Sequence, residues 1–321
     1  MTRMHAMASR HAQLRSSAIW ILALIGPVLG LPGLLAGCSG KADTPDPGPL
    51  TVAVSIPPQA WFAERLGGPH VVVQVVLKPG DSPETYDPTP RELARLADAR
   101  IYFAVGVPME TRLLPELQRD FPRLQVVDTD AGISELAFSA TTQKPATGGS
   151  LKPAQGSGEL DPHFWLSPRL AGIMARNMAD ALIASDPAHA DSYQARLAQV
   201  QRELDRLDSE LKSLLAPLAG RELLVYHPAF GYLATEYGLM QVAIESGGQQ
   251  PSPRQLADLL KQAKAHHPGA IFVQPQFSAT TAHTLARELG VPVVELDPLA
   301  RNYPDNLQRT AVTIRNHLLG H

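Results

Sequence analysis

The hexapeptide Asp161-Pro162-His163-Phe164-Trp165-Leu166 sets a histidine between a proline and two aromatic residues. Pro162 fixes its own φ and restricts Asp161, so His163 is stiffly held and cannot lie in mid-helix. The same local design recurs twice. Tyr226-His227-Pro228 follows the apolar run Leu223-Leu224-Val225, and Leu296-Asp297-Pro298 follows Val293-Val294. Each puts a potential metal ligand beside a proline near the carboxyl end of a predicted strand, the edge at which open α/β sheets bind ligands. Imidazole and carboxylate together suit zinc, manganese or iron(II). Three such positions, far apart in sequence, imply one composite site.

Alternating strand and helix signals must position these residues. Leu50–Ile56 is a predicted strand and Pro57–Leu66 a helix with proline at its start. Val71–Leu77 is a β-branched run of the kind buried on both faces of a parallel sheet. A proline-rich loop over Pro79–Pro90, a helix over Arg91–Ala97, and strands over Arg100–Val105 and Leu124–Val127 follow. Tyr193, Leu197, Val200, Leu204, Leu207, Leu211 and Leu214 recur every three or four residues within Pro187–Leu215, which gives one long amphipathic helix of about 40 Å. Because alternation restarts after it, this helix is expected to join two lobes rather than to form a coiled-coil dimer seam. Strands over Glu222–Tyr226, Met240–Ile244, Ala270–Val273 and Val291–Leu296, with helices over Arg254–Ala265, Ala279–Glu288 and Asp305–Leu318, make the second lobe. The fold class is α/β: two lobes, each a mostly parallel sheet flanked by helices, joined by the one long helix. The expected boundaries are 50–186 for the first lobe, with a mobile loop at 138–159, 187–216 for the linking helix and 217–321 for the second lobe.

The chain has 321 residues, 44% apolar and 18% charged, with formal charge −3 and no basic cluster. That composition is globular and argues against nucleic acid as a partner. Arg3, Arg10 and Arg15, with no acid, precede an apolar run from Ala18 to Ala36. Residues 1–37 are therefore expected to be a signal peptide. Leu35-Ala36-Gly37-Cys38, which contains the sole cysteine, resembles the lipobox of bacterial lipoproteins, cleaved before a lipidated Cys38. Residues 38–49 become a tether, and loss of three arginines takes the formal charge from −3 to −6. The mature protein is then extracytoplasmic, in the periplasm or at the cell surface, and held to the membrane by lipid.

The succession from Pro79-Gly80-Asp81-Ser82-Pro83-Glu84-Thr85-Tyr86-Asp87-Pro88-Thr89-Pro90 through the His163, His227 and Asp297 motifs resembles the metal-binding solute receptors of bacterial ABC importers, which take up zinc or manganese. Tyr237-Gly238-Leu239 and Pro251-Ser252-Pro253 also match, so the resemblance covers nearly the whole mature chain in order. It implies two similar lobes joined by a rigid helix, with a metal held by Glu84, His163, His227 and Asp297 in the cleft between them, in a monomer. It also implies delivery to a permease with a cytoplasmic ATPase. Zinc is the first choice of cargo and manganese or iron(II) the alternative.

Three departures from the pattern matter. The zinc receptors usually carry histidine where this chain has Glu84. Glu84 either coordinates, giving a harder set of two nitrogens and two carboxylates, or points to solvent with water in its place. Gln274 stands where a glutamate is common, which changes the surroundings of the ligating imidazoles. The 138–159 segment lacks the histidines that would collect metal. No His-Glu-x-x-His, Gly-x-Ser-x-Gly or phosphate loop is present, and the acids are needed as ligands, so the chain is not expected to be an enzyme. An adhesin-type surface lipoprotein is a further alternative, without an adhesive repeat to support it.

Overall fold

The computed structural model describes residues 48–138, 160–245 and 252–320. The signal peptide, Cys38, nearly all of the tether and all of the 138–159 loop but Phe138 lie outside the described residues. Among the described residues no helix is long and apolar enough to cross a membrane.

The first lobe runs β1 (Leu50–Val54), α1 (Pro57–Gly67), β2 (Val71–Val75), α2 (Pro90–Ala94), β3 (Ile101–Ala104), α3 (Glu110–Asp120) and β4 (Gln125–Asp128). Helices α4 (Pro168–Ser185) and α5 (Ala190–Leu215) follow. The second lobe runs β5 (Glu222–Val225), α6 (Gly231–Glu236), β6 (Met240–Ala243), α7 (Pro253–His266), β7 (Ile271–Val273), α8 (Thr280–Leu289), β8 (Val293–Glu295) and α9 (Tyr303–Leu319). Each lobe holds one wholly parallel four-stranded sheet, ordered β2-β1-β3-β4 in the first and β6-β5-β7-β8 in the second. The two lobes thus repeat one topology.

The seam of α5 is buried within its own chain at Tyr193, Val200, Leu204, Leu207, Leu211 and Leu215. It packs against α4, α1 and α9. Each buried leucine there is worth about 1.5–3 kcal/mol. Two sequence expectations need correction. Val71–Leu77 was expected to be covered on both faces, but β2 is the edge strand of its sheet and Val72 is 47% exposed. Its β-branched composition suits extended backbone at an edge as well as at a centre. Helix α3 was not anticipated: Leu113 and Leu117 bury one face, but Pro115 inside the helix masks the pattern.

Local chemistry explains several starts. Ser167 caps α4 by accepting from the Leu170 N–H (3.4 Å), with Pro168 at the first helical position. Thr89 with Glu92, and Ser252 with Gln255, form capping boxes for α2 and α7.

One buried carboxyl affects stability. Burial pushes Glu110 up to about 7 from an ordinary 4.5, outweighing hydrogen bonds from Ser55, Val105 and Gly106 that favour the charged form. With the folded value raised, its contribution is fully present below pH 4.5 and is lost as pH rises through about 7. The swing is up to about 3 kcal/mol. Glu110→Gln should therefore flatten the stability–pH curve between those limits in chemical unfolding. A slope identical to wild type would contradict this.

Candidate metal centre

The carboxyl edges of the two sheets carry the candidate ligands. Glu84 lies on the arm after β2. His163 opens a turn of 3-10 helix, His163–Leu166, between β4 and α4. His227 lies two residues past β5, and Asp297 two residues past β8. Donor atoms of Glu84, His163 and His227 lie within 4.8 Å of one another. The two imidazole centroids are 5.2 Å apart at 73°, and His227 Nε2 is 3.8 Å from Glu84 Oε1. Both histidines are buried and Glu84 is largely so.

Asp297 is not in that close group. Its Oδ1 accepts from Gln276 Nε2 (2.8 Å) and from the Leu299 N–H (2.9 Å), and its carbonyl accepts from Asn306 Nδ2 (2.7 Å). The carboxylate is thus fixed to the second lobe through one oxygen, and the other remains available to a cation. A cross-lobe strap joins its segment to that of His163. Trp165 Nε1–H donates to the Pro298 carbonyl (2.9 Å), and the Tyr303 hydroxyl donates to the Trp165 carbonyl (2.7 Å).

Each imidazole has a buried carboxylate behind it. Asp161 Oδ1 lies 2.8 Å from His163 Nδ1 and also accepts the His163 backbone N–H (3.0 Å). Glu245 Oε1 lies 2.5 Å from His227 Nδ1. An ionised carboxylate only accepts, so each Nδ1 is the donor in these contacts and Nε2 is the ring nitrogen left to ligate a metal. Gln274 clamps the His227 backbone in both directions: His227 N–H donates to Gln274 Oε1, and Gln274 Nε2 donates to the His227 carbonyl, both at 3.1 Å. A neutral amide can make this two-way bond; a carboxylate could make only its accepting half. Phe277 stacks on the His227 ring at 4.6 Å, and Trp165 lies 5.1 Å from that of His163.

Glu84, Asp161 and Glu245 thus lie against the two imidazoles, a concentration of carboxylates that draws a divalent cation. Asp161 Oδ2 and Gln276 Oε1 are also buried without a hydrogen-bond partner among the described residues, which adds negative potential beside the ligands. Mixed nitrogen and oxygen donors from both lobes fit a borderline metal such as zinc and do not exclude manganese or iron(II).

Sequence reasoning missed Glu245, Gln276 and the part played by Asp161. Glu245 stands two residues past β6, just as His227 stands past β5; a carboxylate ending an apolar strand was the available signal. The Asp-x-His spacing was the signal for Asp161. Away from the site, the His70 and His189 rings stack at 3.8 Å, and His189 Nδ1 pairs with Asp186 (2.7 Å). If Glu245 orients His227, Glu245→Ala should weaken metal binding roughly 10- to 100-fold while leaving one ion bound per chain. Competition against a chelator checks this, and an unchanged affinity would remove Glu245 from the site.

Two lobes of one topology, with buried imidazoles and carboxylates converging from their sheet edges, define a metal-binding receptor of the two-lobed type. The model of the family "Zinc-uptake complex component A periplasmic" matches residues 52–317, and this chain belongs to that family. Its members are transport receptors, and the chain is not an enzyme. It is 29% identical over 275 residues to the high-affinity zinc uptake system protein ZnuA of Bacillus subtilis, covering 83% of this chain and 85% of that one. It is 27% identical over 267 residues to the zinc-binding lipoprotein AdcA of Streptococcus pneumoniae, covering 83% of this chain and 52% of that relative. A zinc-bound crystal structure of a ZnuA deletion mutant is similar with a TM-score of 0.76 and 36% identity, over 84% of this chain and 98% of that one.

Proposed function

We propose that this protein is the extracytoplasmic receptor that captures zinc and delivers it to an ABC permease driven by a cytoplasmic ATPase. The observation that carries the reading is the close group of Glu84, His163 and His227, drawn from segments of both lobes, in a chain of the zinc-uptake family. In this reading the two Nε2 atoms and one oxygen of Glu84 take the ion. Asp297 supplies the fourth ligand from the second lobe, oriented by Gln276. Asp161 and Glu245 keep both imidazoles in the ligating tautomer. A site closed by protein side chains holds its cargo and leaves no open position for substrate chemistry. Release then requires the permease to separate the Asp297 side from the His163 side, and the Trp165 strap opposes that movement.

The amino-terminal features complete the proposal. Residues 1–37 are removed as a signal peptide, Cys38 is lipidated, and residues 38–49 tether a monomer at the membrane. The lobes span 50–186 and 217–321, joined by 187–216. A second reading, with manganese or iron(II) as cargo, is favoured by the hard carboxylate at Glu84.

Titration of the metal-stripped mature chain against a chelator of graded affinity tests the function. One zinc per chain, bound tightly enough to compete with the chelator, is expected. Weak or non-stoichiometric binding of all three metals would overturn it. For the anchor, Cys38→Ala should move the protein from the membrane fraction to the soluble one.

A further inference from the structure

One buried carboxylate of the first lobe takes no part in the metal cluster. Glu110 opens α3 and is 4% exposed. It accepts the Val105 N–H (2.9 Å) and the Gly106 N–H (2.8 Å), and it bonds to the Ser55 hydroxyl, which in turn lies 2.7 Å from the Tyr102 hydroxyl. Ser55 follows β1; Val105 and Gly106 follow β3. These are the two central strands, and the chain leaves them in opposite directions, toward β2 and toward β4. Such a gap is where an open α/β sheet offers N–H groups to a ligand. The matching gap of the second lobe, between β5 and β7, holds the His227–Gln274 clamp. In the first lobe the chain's own carboxylate fills it.

The residue before Glu110 explains what this achieves. The Met109 N–H donates to the carbonyl of Pro83 (3.0 Å), the neighbour of Glu84. The rest of the arm closes largely on itself. Asp81 N–H donates to the Lys78 carbonyl (3.1 Å), Tyr86 N–H to the Ser82 carbonyl (2.9 Å), and Glu84 N–H to Ser82 Oγ (3.3 Å). Local turns give the arm a shape, and the Met109 bond ties it to the sheet beside Glu84.

We propose that Glu110 is a positioning residue for the metal site: it pins the Met109–Glu110 corner to the β1–β3 edge, and through Pro83 it aims Glu84 at His163 and His227. The inference rests on the reading of Glu84 as a ligand. A carboxyl group suits the task because, when ionised, its two oxygens accept from three converging donors. Glutamine offers one accepting oxygen and turns an NH2 toward donors; alanine leaves all three unpaired. An untied arm must be ordered when metal arrives. Fixing one backbone residue has a cost equivalent to roughly a tenfold loss of affinity.

The test is a double-mutant cycle in zinc affinity, by chelator competition, on wild type, Glu110→Ala, Glu84→Ala and the double variant, with thermal unfolding as a check on folding. Glu110→Ala should weaken zinc binding roughly tenfold in the wild-type background and less than about twofold when Glu84 is already alanine. Glu110→Gln should fall between wild type and Glu110→Ala, and it carries the same cycle if the alanine variant does not fold. Equal losses in both backgrounds would mean general damage to the lobe and would overturn the proposal. So would an unchanged affinity in Glu110→Ala where Glu84→Ala itself weakens binding. If Glu84→Ala leaves zinc affinity unchanged, the reading of Glu84 as a ligand fails first and this inference falls with it.

Discussion

Metal-stripped protein carrying His227→Ala is expected to bind zinc at least about 100-fold more weakly than wild type, and His163→Ala similarly. Structural zinc sites with four protein ligands bind with about 10–16 kcal/mol at neutral pH, so one ligand's share is roughly 3 kcal/mol or more. Little in the site can substitute. Both rings are buried, and each Nδ1 is engaged by its own carboxylate, which leaves each Nε2 as the ligating nitrogen. Truncating His227 also leaves Glu245 buried beside a void without its partner, which adds to the loss. Chelator competition gives the affinities. Thermal unfolding without metal separates loss of a ligand from loss of the fold, because a folded variant that no longer competes isolates the ligand's part. A zinc affinity within about threefold of wild type for either variant would exclude that histidine from coordination.

The second large effect concerns which metal is held. Glu84→Ala should weaken zinc, manganese and iron(II) together, because a clustered oxygen donor is lost. Glu84→His should separate them: zinc gains and manganese loses, with a change in their ratio of roughly tenfold or more as the donor set softens. The geometry permits the exchange. Glu84 Oε1 stands 3.8 Å from His227 Nε2, so a side chain at this position reaches the metal's place. Competitive binding of the three metals to wild type and both variants gives the ratios. A manganese-to-zinc ratio that stays constant across them would show that this position does not set preference, and the second reading of the cargo would lose its support.

The alternation of apolar runs with amphipathic segments was enough to give two α/β lobes and a long helix between them. That pattern records which face of each segment is apolar, and the apolar face is a property of the segment alone. The prolines beside His163, His227 and Asp297 were equally legible, because a fixed φ ends a strand or delays a helix locally. The same holds for the Pro79–Pro90 arm. Helix α3 escaped notice because Pro115 contradicts the local signal, while tertiary burial of Leu113 and Leu117 overrides it.

What the sequence could not supply lies between elements. Glu245 meets His227 only because β6 pairs with β5 in register, which places two strand ends side by side. Gln274 reaches the His227 backbone because β7 pairs with β5 on its other flank. The exposed face of β2 follows from strand order, which no single segment encodes. Asp297 meets Gln276 and Asn306, which bond it within its own lobe, only through the packing of that lobe. By itself, then, the sequence determined the donor types, the strand ends that bear them and the lobes that carry the strands, because these follow from local propensity and burial. The tertiary structure alone decided which donors converge, which carboxylate backs each imidazole and which side of each ring is left for a metal. Those are distances between strands, and only the packed sheets fix them.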